Sequence, residues 1–131
     1  MSLLNEMLEK AKAARSNAYA PYSNFFVGVC IRAEDDSLYA GCNVENAAYE
    51  AIHAESSAIS ALISSGRKKI KEVLVIGSGN LLCPPCGSCR QKIRELAELN
   101  IPIHMANEQG VQTTMTLEQL LPMSFGPENL E

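Results

Sequence analysis

Apolar positions change period several times along the chain, and each change predicts an element. Between Leu3 and Ala18, Leu4, Met7, Leu8, Ala11 and Ala14 recur at helical spacing, with Ser2 placed to cap the first turn. Pro21 and the polar Ser23-Asn24 pair end that helix in a loop. From Phe26 to Ala33 the period falls to two, with Val27, Val29 and Ile31 on one face. Glu34-Asp35-Asp36-Ser37 is a turn and Leu38 to Asn43 returns as a second strand, which predicts a hairpin. Val44 to Ile52 reads as irregular, and Ala54 to Ser65 as a helix stopped by Gly66. Val73-Leu74-Val75-Ile76 is apolar throughout, as expected of a strand buried on both faces. Ile93, Leu96, Ala97 and Leu99 mark another amphipathic helix ending near Asn100. Ile101 to Met105 and Val111 to Thr116 predict strands around an Asn107-to-Gly110 turn. Leu117 to Leu121 is a short helix, and Pro122 opens an irregular tail.

A hairpin followed by alternating helices and strands implies an α/β fold. The expectation is a three-layer α/β/α sandwich, with one five-stranded mixed sheet carrying helices on both faces. The 131 residues fit one domain spanning residues 1–131. Ligands of such sheets usually sit at strand ends where helices begin. That directs attention to two helix starts, at His53 and at Cys86.

Composition narrows the function classes. Apolar residues make up 47% and charged residues 20%, which excludes a disordered chain or a coiled coil. No apolar run approaches the roughly 18 residues of a membrane span. Met1 leads into Glu6, Glu9 and Lys10 rather than a basic and then apolar stretch, so no signal peptide and a cytoplasmic location are expected. Fifteen acidic against 11 basic residues give a net charge of −4, which disfavours a nucleic-acid partner. The basic cluster Arg67-Lys68-Lys69 with Lys71 follows Gly66 and reads as a solvated turn rather than a phosphate contact.

Five cysteines are an odd count, which without an export signal argues for thiols or a metal over a disulfide framework. Cys30 and Cys42 lie on predicted strands and read as core thiols. Cys83, Cys86 and Cys89 fall within nine residues. Cys86 and Cys89 are three apart at a helix start, so both sulfurs face one side. The helix dipole there favours thiolate over thiol. With His53 they make three ligands for tetrahedral zinc, leaving the fourth position open as in catalytic sites. Glu55, two residues after His53, is placed to carry protons for a water in that position. His53-Ala54-Glu55 with Pro85-Cys86-Gly87-Ser88-Cys89 is the signature of zinc deaminases. Cys83 competes as a ligand, but the Pro84-Pro85 pair keeps it extended and ahead of the helix, outside the expected ligand set. His104, on a late strand, reads as a strand residue with a satisfied nitrogen.

Beyond these motifs, nearly the whole chain resembles the cytidine deaminase family, of the short-chain homotetrameric kind. The resemblance rests on Tyr22-Ser23-Asn24-Phe25, on Gly41 to Tyr49 with its Asn43-Val44-Glu45-Asn46 stretch, and on the two zinc motifs. It extends to the ending Leu120-Leu121-Pro122-Met123-Ser124-Phe125-Gly126-Pro127. The resemblance implies one zinc per chain and hydrolytic deamination of cytidine and 2′-deoxycytidine to the uridines with release of ammonia, a pyrimidine salvage reaction. Glu55 would be the proton carrier. It further implies that Asn43 and Glu45 hold the ribose 3′-hydroxyl, that Phe25 stacks on the base, and that the Ala54 N–H meets the base O2. The carbonyl of Pro84 would meet the exocyclic amine, and Phe125 would reach in from an adjacent subunit. Short-chain members usually have cysteine at the position of His53, arginine at Ser56, and serine or threonine at Pro84. Two thiolates and a neutral imidazole leave zinc uncharged overall, so the loss of that arginine fits the loss of the third thiolate. Two other readings compete. A deaminase of an aminopyrimidine nucleoside antibiotic would lack the Asn43–Asn46 stretch. A zinc-stabilised structural module has no use for Glu55 or an open fourth position.

Overall fold

The structure is a computed structural model and describes residues 2–131. Helix α1 (Leu3–Arg15) is capped by the Ser2 side chain, which accepts from the Asn5 N–H at 3.1 Å. Strands β1 (Gly28–Ala33) and β2 (Leu38–Cys42) form the expected hairpin. They are followed by β3 (Val44–Glu45), β4 (Ala51–Ile52), α2 (Ala54–Ser64), β5 (Ile70–Ile76) and α3 (Gly87–Leu96). Strands β6 (Pro102–Asn107) and β7 (Gly110–Thr116), the short α4 (Leu117–Leu120) and one 3-10 turn (Pro127–Leu130) complete the chain.

Five strands make one mixed sheet in the order β2-β1-β5-β6-β7. Only β5 and β6 run parallel, Val73 facing Ile103, and α3 is the crossover that parallel pairing demands. Alternation along the strands sorts the core into two layers. Val29, Ile31, Val73, Val75 and Ile103 face α2 and α3 through Ala54, Ala58, Leu62 and Ile93. Cys30, Leu74, Ile76 and Ala106 face Met7 and Ala11 of α1. This is the expected α/β/α sandwich. At Gly41 a Cβ would come within 2.5 Å of the Ala58 nitrogen, so the glycine is what lets α2 lie directly on β2.

Strand β1 begins at Gly28 rather than Phe26, β5 at Ile70 rather than Val73, and β6 runs to Asn107 rather than Met105; three further differences have a visible structural counterpart. The segment expected to be irregular contains the small β3–β4 pair, Val44 facing Ile52 and Glu45 facing Ala51. Helix α1 stops at Arg15, three residues before Ala18, and the Arg15 guanidinium instead reaches the Gly77 carbonyl at 2.8 Å. Helix α3 ends at Leu96 rather than near Asn100, because Ala97 turns extended and bridges to Ile70 at the start of β5. No helix among the described residues is long and apolar enough to cross a membrane. Arg67 is bonded to Asp35 and Lys71 to Asp36, so part of the basic cluster forms surface ion pairs, as a solvated turn requires.

Candidate active site

The sheet brings the two helix starts together on one face. His53 is the N-cap of α2 and Cys86 the N-cap of α3, and neither side chain caps its own helix. Both are turned to a shared point. His53 Nδ1 lies 3.2 Å from Cys89 Sγ and 3.3 Å from Cys86 Sγ. One donor atom from each residue lies within 4.8 Å of the others. Nitrogen and sulfur ligands on a tetrahedral zinc stand about 3.5 Å apart, from the ordinary bond lengths. The donor set and its spacing therefore fit zinc.

Burial bears on how the sulfurs are held. Cys89 is buried, and that burial, reinforced by the charge of Glu55 and by Cys86, pushes its thiol well above the usual range. Without a metal, desolvation of this sulfur works against the pull of the helix N-terminus toward thiolate. A bound cation reverses that balance, since a coordinated thiol is deprotonated outright. Cys83 lies outside the three-donor group, as expected. Burial first, then Glu55 and Cys86, push its thiol up to about 11. Of the two cysteines read as core thiols, Cys30 is buried, whereas Cys42 is half-buried.

Glu55, in the first turn of α2, is only 5% exposed and its carboxylate has no protein hydrogen-bond partner among the described residues. It lines a cavity of about 320 Å3 together with Phe25, Asn43, Glu45, Ala54 and Pro84. His53, Cys83 and Cys86 line the same cavity, as do Ser23 and Val27. Of the residues singled out in the sequence as base or sugar contacts, the fold thus gathers all but Phe125. That side chain is 58% exposed and stands elsewhere, beside Gln91, Glu95 and Leu130. Its carbonyl accepts from Gln91 Nε2 at 2.8 Å, and the Arg94 guanidinium ties the neighbouring tail through Ser124 and Glu128. Another cleft of about 660 Å3 contains none of these residues and is lined by charges of both signs, among them Lys68, Lys69, Glu95 and Glu98.

Several contacts had no signal in the sequence. The Asn43 side chain accepts from the Val27 N–H and donates to the Phe25 carbonyl, each at 2.9 Å, so it fixes the segment that carries Phe25. The Glu45 carboxylate accepts from the N–H groups of Tyr22 and Ser23 at 3.0 and 3.1 Å and from the Ser23 hydroxyl at 2.5 Å. These bonds, the hydroxyl's first, hold its carboxyl below the usual range. Arg90 donates to the carbonyls of Pro85 and Leu120, locking the cysteine loop to α4. Lys92 Nζ donates to the Ser56 hydroxyl at 3.0 Å. A cation from α3 therefore stands at Ser56, although the uncharged zinc complex gave no reason to expect one. His104 is satisfied on both nitrogens, Nδ1 with Thr114 and Nε2 with Glu72, as a strand residue should be.

Comparison with known proteins agrees with this geometry. Residues 1–105 match the family described as "Cytidine and deoxycytidylate deaminase zinc-binding region". The chain is 37% identical over 128 residues to a cytidine deaminase of Sporosarcina psychrophila, covering 97% of this chain and 94% of that one. Its fold matches the crystal structure of cytidine deaminase from Burkholderia pseudomallei with a TM-score of 0.87 at 37% identity, over 95% of this chain and all of that one. A second solved structure, cytidine deaminase from Mycobacterium leprae, matches with a TM-score of 0.78 at 42% identity, over 91% of this chain and 97% of that one. One zinc per chain follows from the family and from the His53, Cys86 and Cys89 donor group. The chain belongs to the zinc-dependent cytidine deaminase family, in its short bacterial form.

Proposed function

We propose that this protein deaminates cytidine and 2′-deoxycytidine hydrolytically, releasing ammonia, as a single catalytic unit of residues 1–131 acting in pyrimidine salvage in the cytoplasm. The observation that carries the reading is the placement of Glu55. It is a buried carboxylate two residues from one member of the donor group, without a protein partner of its own, in a cavity sized for a nucleoside. Zinc held by His53, Cys86 and Cys89 supplies Lewis acidity, which makes water acidic enough to act as a nucleophile near neutral pH. Glu55 takes the proton of the attacking water and delivers it to ring N3 as C4 is attacked. Glu55 then carries the second proton to the exocyclic nitrogen, the C4–N bond breaks, and ammonia leaves. The Ala54 N–H, at the first turn of α2, donates to the base O2, and the Pro84 carbonyl accepts from the amine. Phe25 stacks on the pyrimidine. Asn43 and Glu45 take the sugar 3′-hydroxyl, which excludes nucleotides within a polymer because their 3′-oxygen is esterified.

Loss of ultraviolet absorbance by cytidine, with ammonia released one for one, tests this reading directly. Adenosine and the free base cytosine serve as controls. Turnover of cytidine and 2′-deoxycytidine but of neither control is the expected result, and absence of turnover by zinc-loaded protein would overturn it.

The same reading makes the active site a shared one in a homotetramer. Phe125 is exposed and lies outside its own chain's cavity, held there by Gln91 and the Arg94 clamp. A large exposed aromatic in a tail marks a surface that something covers. Glu55→Gln subunits keep an intact tail, whereas Phe125→Ala subunits keep an intact zinc centre. Co-refolded mixtures of the two should show more activity than the sum of the separate variants. Strictly additive activity, or a monomer by sedimentation, would mean that each chain works alone.

A further inference from the structure

The Glu45 carboxylate is an unusual candidate for a ligand contact, because three donors already occupy it and all come from the Tyr22–Ser23 turn. Two of them are backbone N–H groups on Oε1. That backbone is anchored through Tyr19, which exchanges hydrogen bonds with Asn43 and Glu45 at 3.0 and 2.9 Å, so those donors are fixed. The third, on Oε2, is the Ser23 hydroxyl, and it alone can leave by side-chain rotation without moving the main chain. The same hydroxyl accepts from the Phe25 N–H at 3.0 Å. On its other side Phe25 is held by the Asn43 amide, which is committed at both ends. Ser23, Phe25, Asn43 and Glu45 all line the one cavity.

We infer that Ser23 is a specificity-determining residue: its hydroxyl holds the Glu45 oxygen that a nucleoside's 3′-hydroxyl takes, and the two compete. The inference rests on Glu45 being the acceptor of the sugar hydroxyl. Displacement of the Ser23 hydroxyl also alters its bond to the Phe25 N–H, so recognition of the sugar is felt at the residue that stacks on the base. A nucleoside lacking the 3′-hydroxyl leaves the Ser23–Glu45 bond in place.

The test compares cytidine with 3′-deoxycytidine on the zinc-loaded protein. The parent should favour cytidine in kcat/KM. In Ser23→Ala the internal competitor is gone, and that preference should widen roughly fivefold, chiefly through a lower KM for cytidine with kcat little changed. Ser23→Thr keeps the hydroxyl and should stay near the parent ratio. A parent without preference would overturn the role of Glu45 and this inference with it. A parent with preference, and a Ser23→Ala ratio unchanged or narrowed, would overturn the inference alone. Should Ser23→Ala fail to fold, the unaltered protein still decides through the amide resonance of Phe25. Stacking on the base is common to both ligands, so the resonance should move distinctly further on binding uridine than on binding 3′-deoxyuridine, and equal shifts with both would overturn the exchange.

Discussion

Glu55→Gln should fold and bind zinc as the parent does, yet deaminate cytidine roughly 10²–10⁴-fold more slowly. Glutamine has the shape of glutamate and keeps a hydrogen-bonding group in the cavity, but it cannot accept and return a proton. Glu55 is 5% exposed and in the first turn of α2, so the substitution leaves packing against the sheet untouched. Glu55 lies outside the donor group of His53, Cys86 and Cys89, so zinc should be retained. Steady-state rates paired with zinc content by elemental analysis separate the alternatives. Loss of zinc along with activity would make Glu55 a structural residue. Turnover close to that of the parent would remove it from the mechanism.

Cys89→Ala should lose zinc, essentially all activity and a substantial part of the protein's stability. Cys89 is fully buried at the third position of α3, and its sulfur lies 3.2 Å from His53 Nδ1. Two ligands remaining out of three cannot hold the metal in a site that keeps one position open. Zinc bound to the folded chain stabilises it by mass action, so its loss lowers the melting temperature, whereas zinc added to the parent raises it. Metal content below about one-tenth per chain, with a lowered melting temperature, is the expected outcome. Undiminished zinc would exclude Cys89 from the ligand set. Cys83→Ala is the matched control. Cys83 lines the same cavity but lies outside the donor group, so that variant should keep its full complement of zinc.

Much of this was legible in the residues themselves. The change from helical period in α1 to alternation in β1, and the wholly apolar run in β5, fixed the order of elements, because burial on one face or on both leaves a periodic record in the chain. The donor group was legible for a related reason. His53, Cys86 and Cys89 are at helix starts, where spacing along the chain determines which side chains converge. The small β3–β4 pair was not legible, since two-residue strands carry too few positions to show a period. The end of α3 at Leu96 was decided by pairing of Ala97 with Ile70, a contact across 27 positions of chain.

Local sequence therefore determined the fold class, the donor group of His53, Cys86 and Cys89, and the place of Glu55 beside it, since each depends on residue type and spacing within a single element or at its start. Tertiary structure decided what the site does with them. It buried the Cys89 sulfur, against the pull of the helix dipole toward thiolate, and it brought Lys92 to Ser56 from a neighbouring helix. It turned Asn43 and Glu45 into anchors of the Tyr22–Val27 segment and left Phe125 outside its own cavity. Desolvation, and hydrogen bonds between distant segments, exist only once the sheet has placed those segments side by side, and no window of sequence contains them.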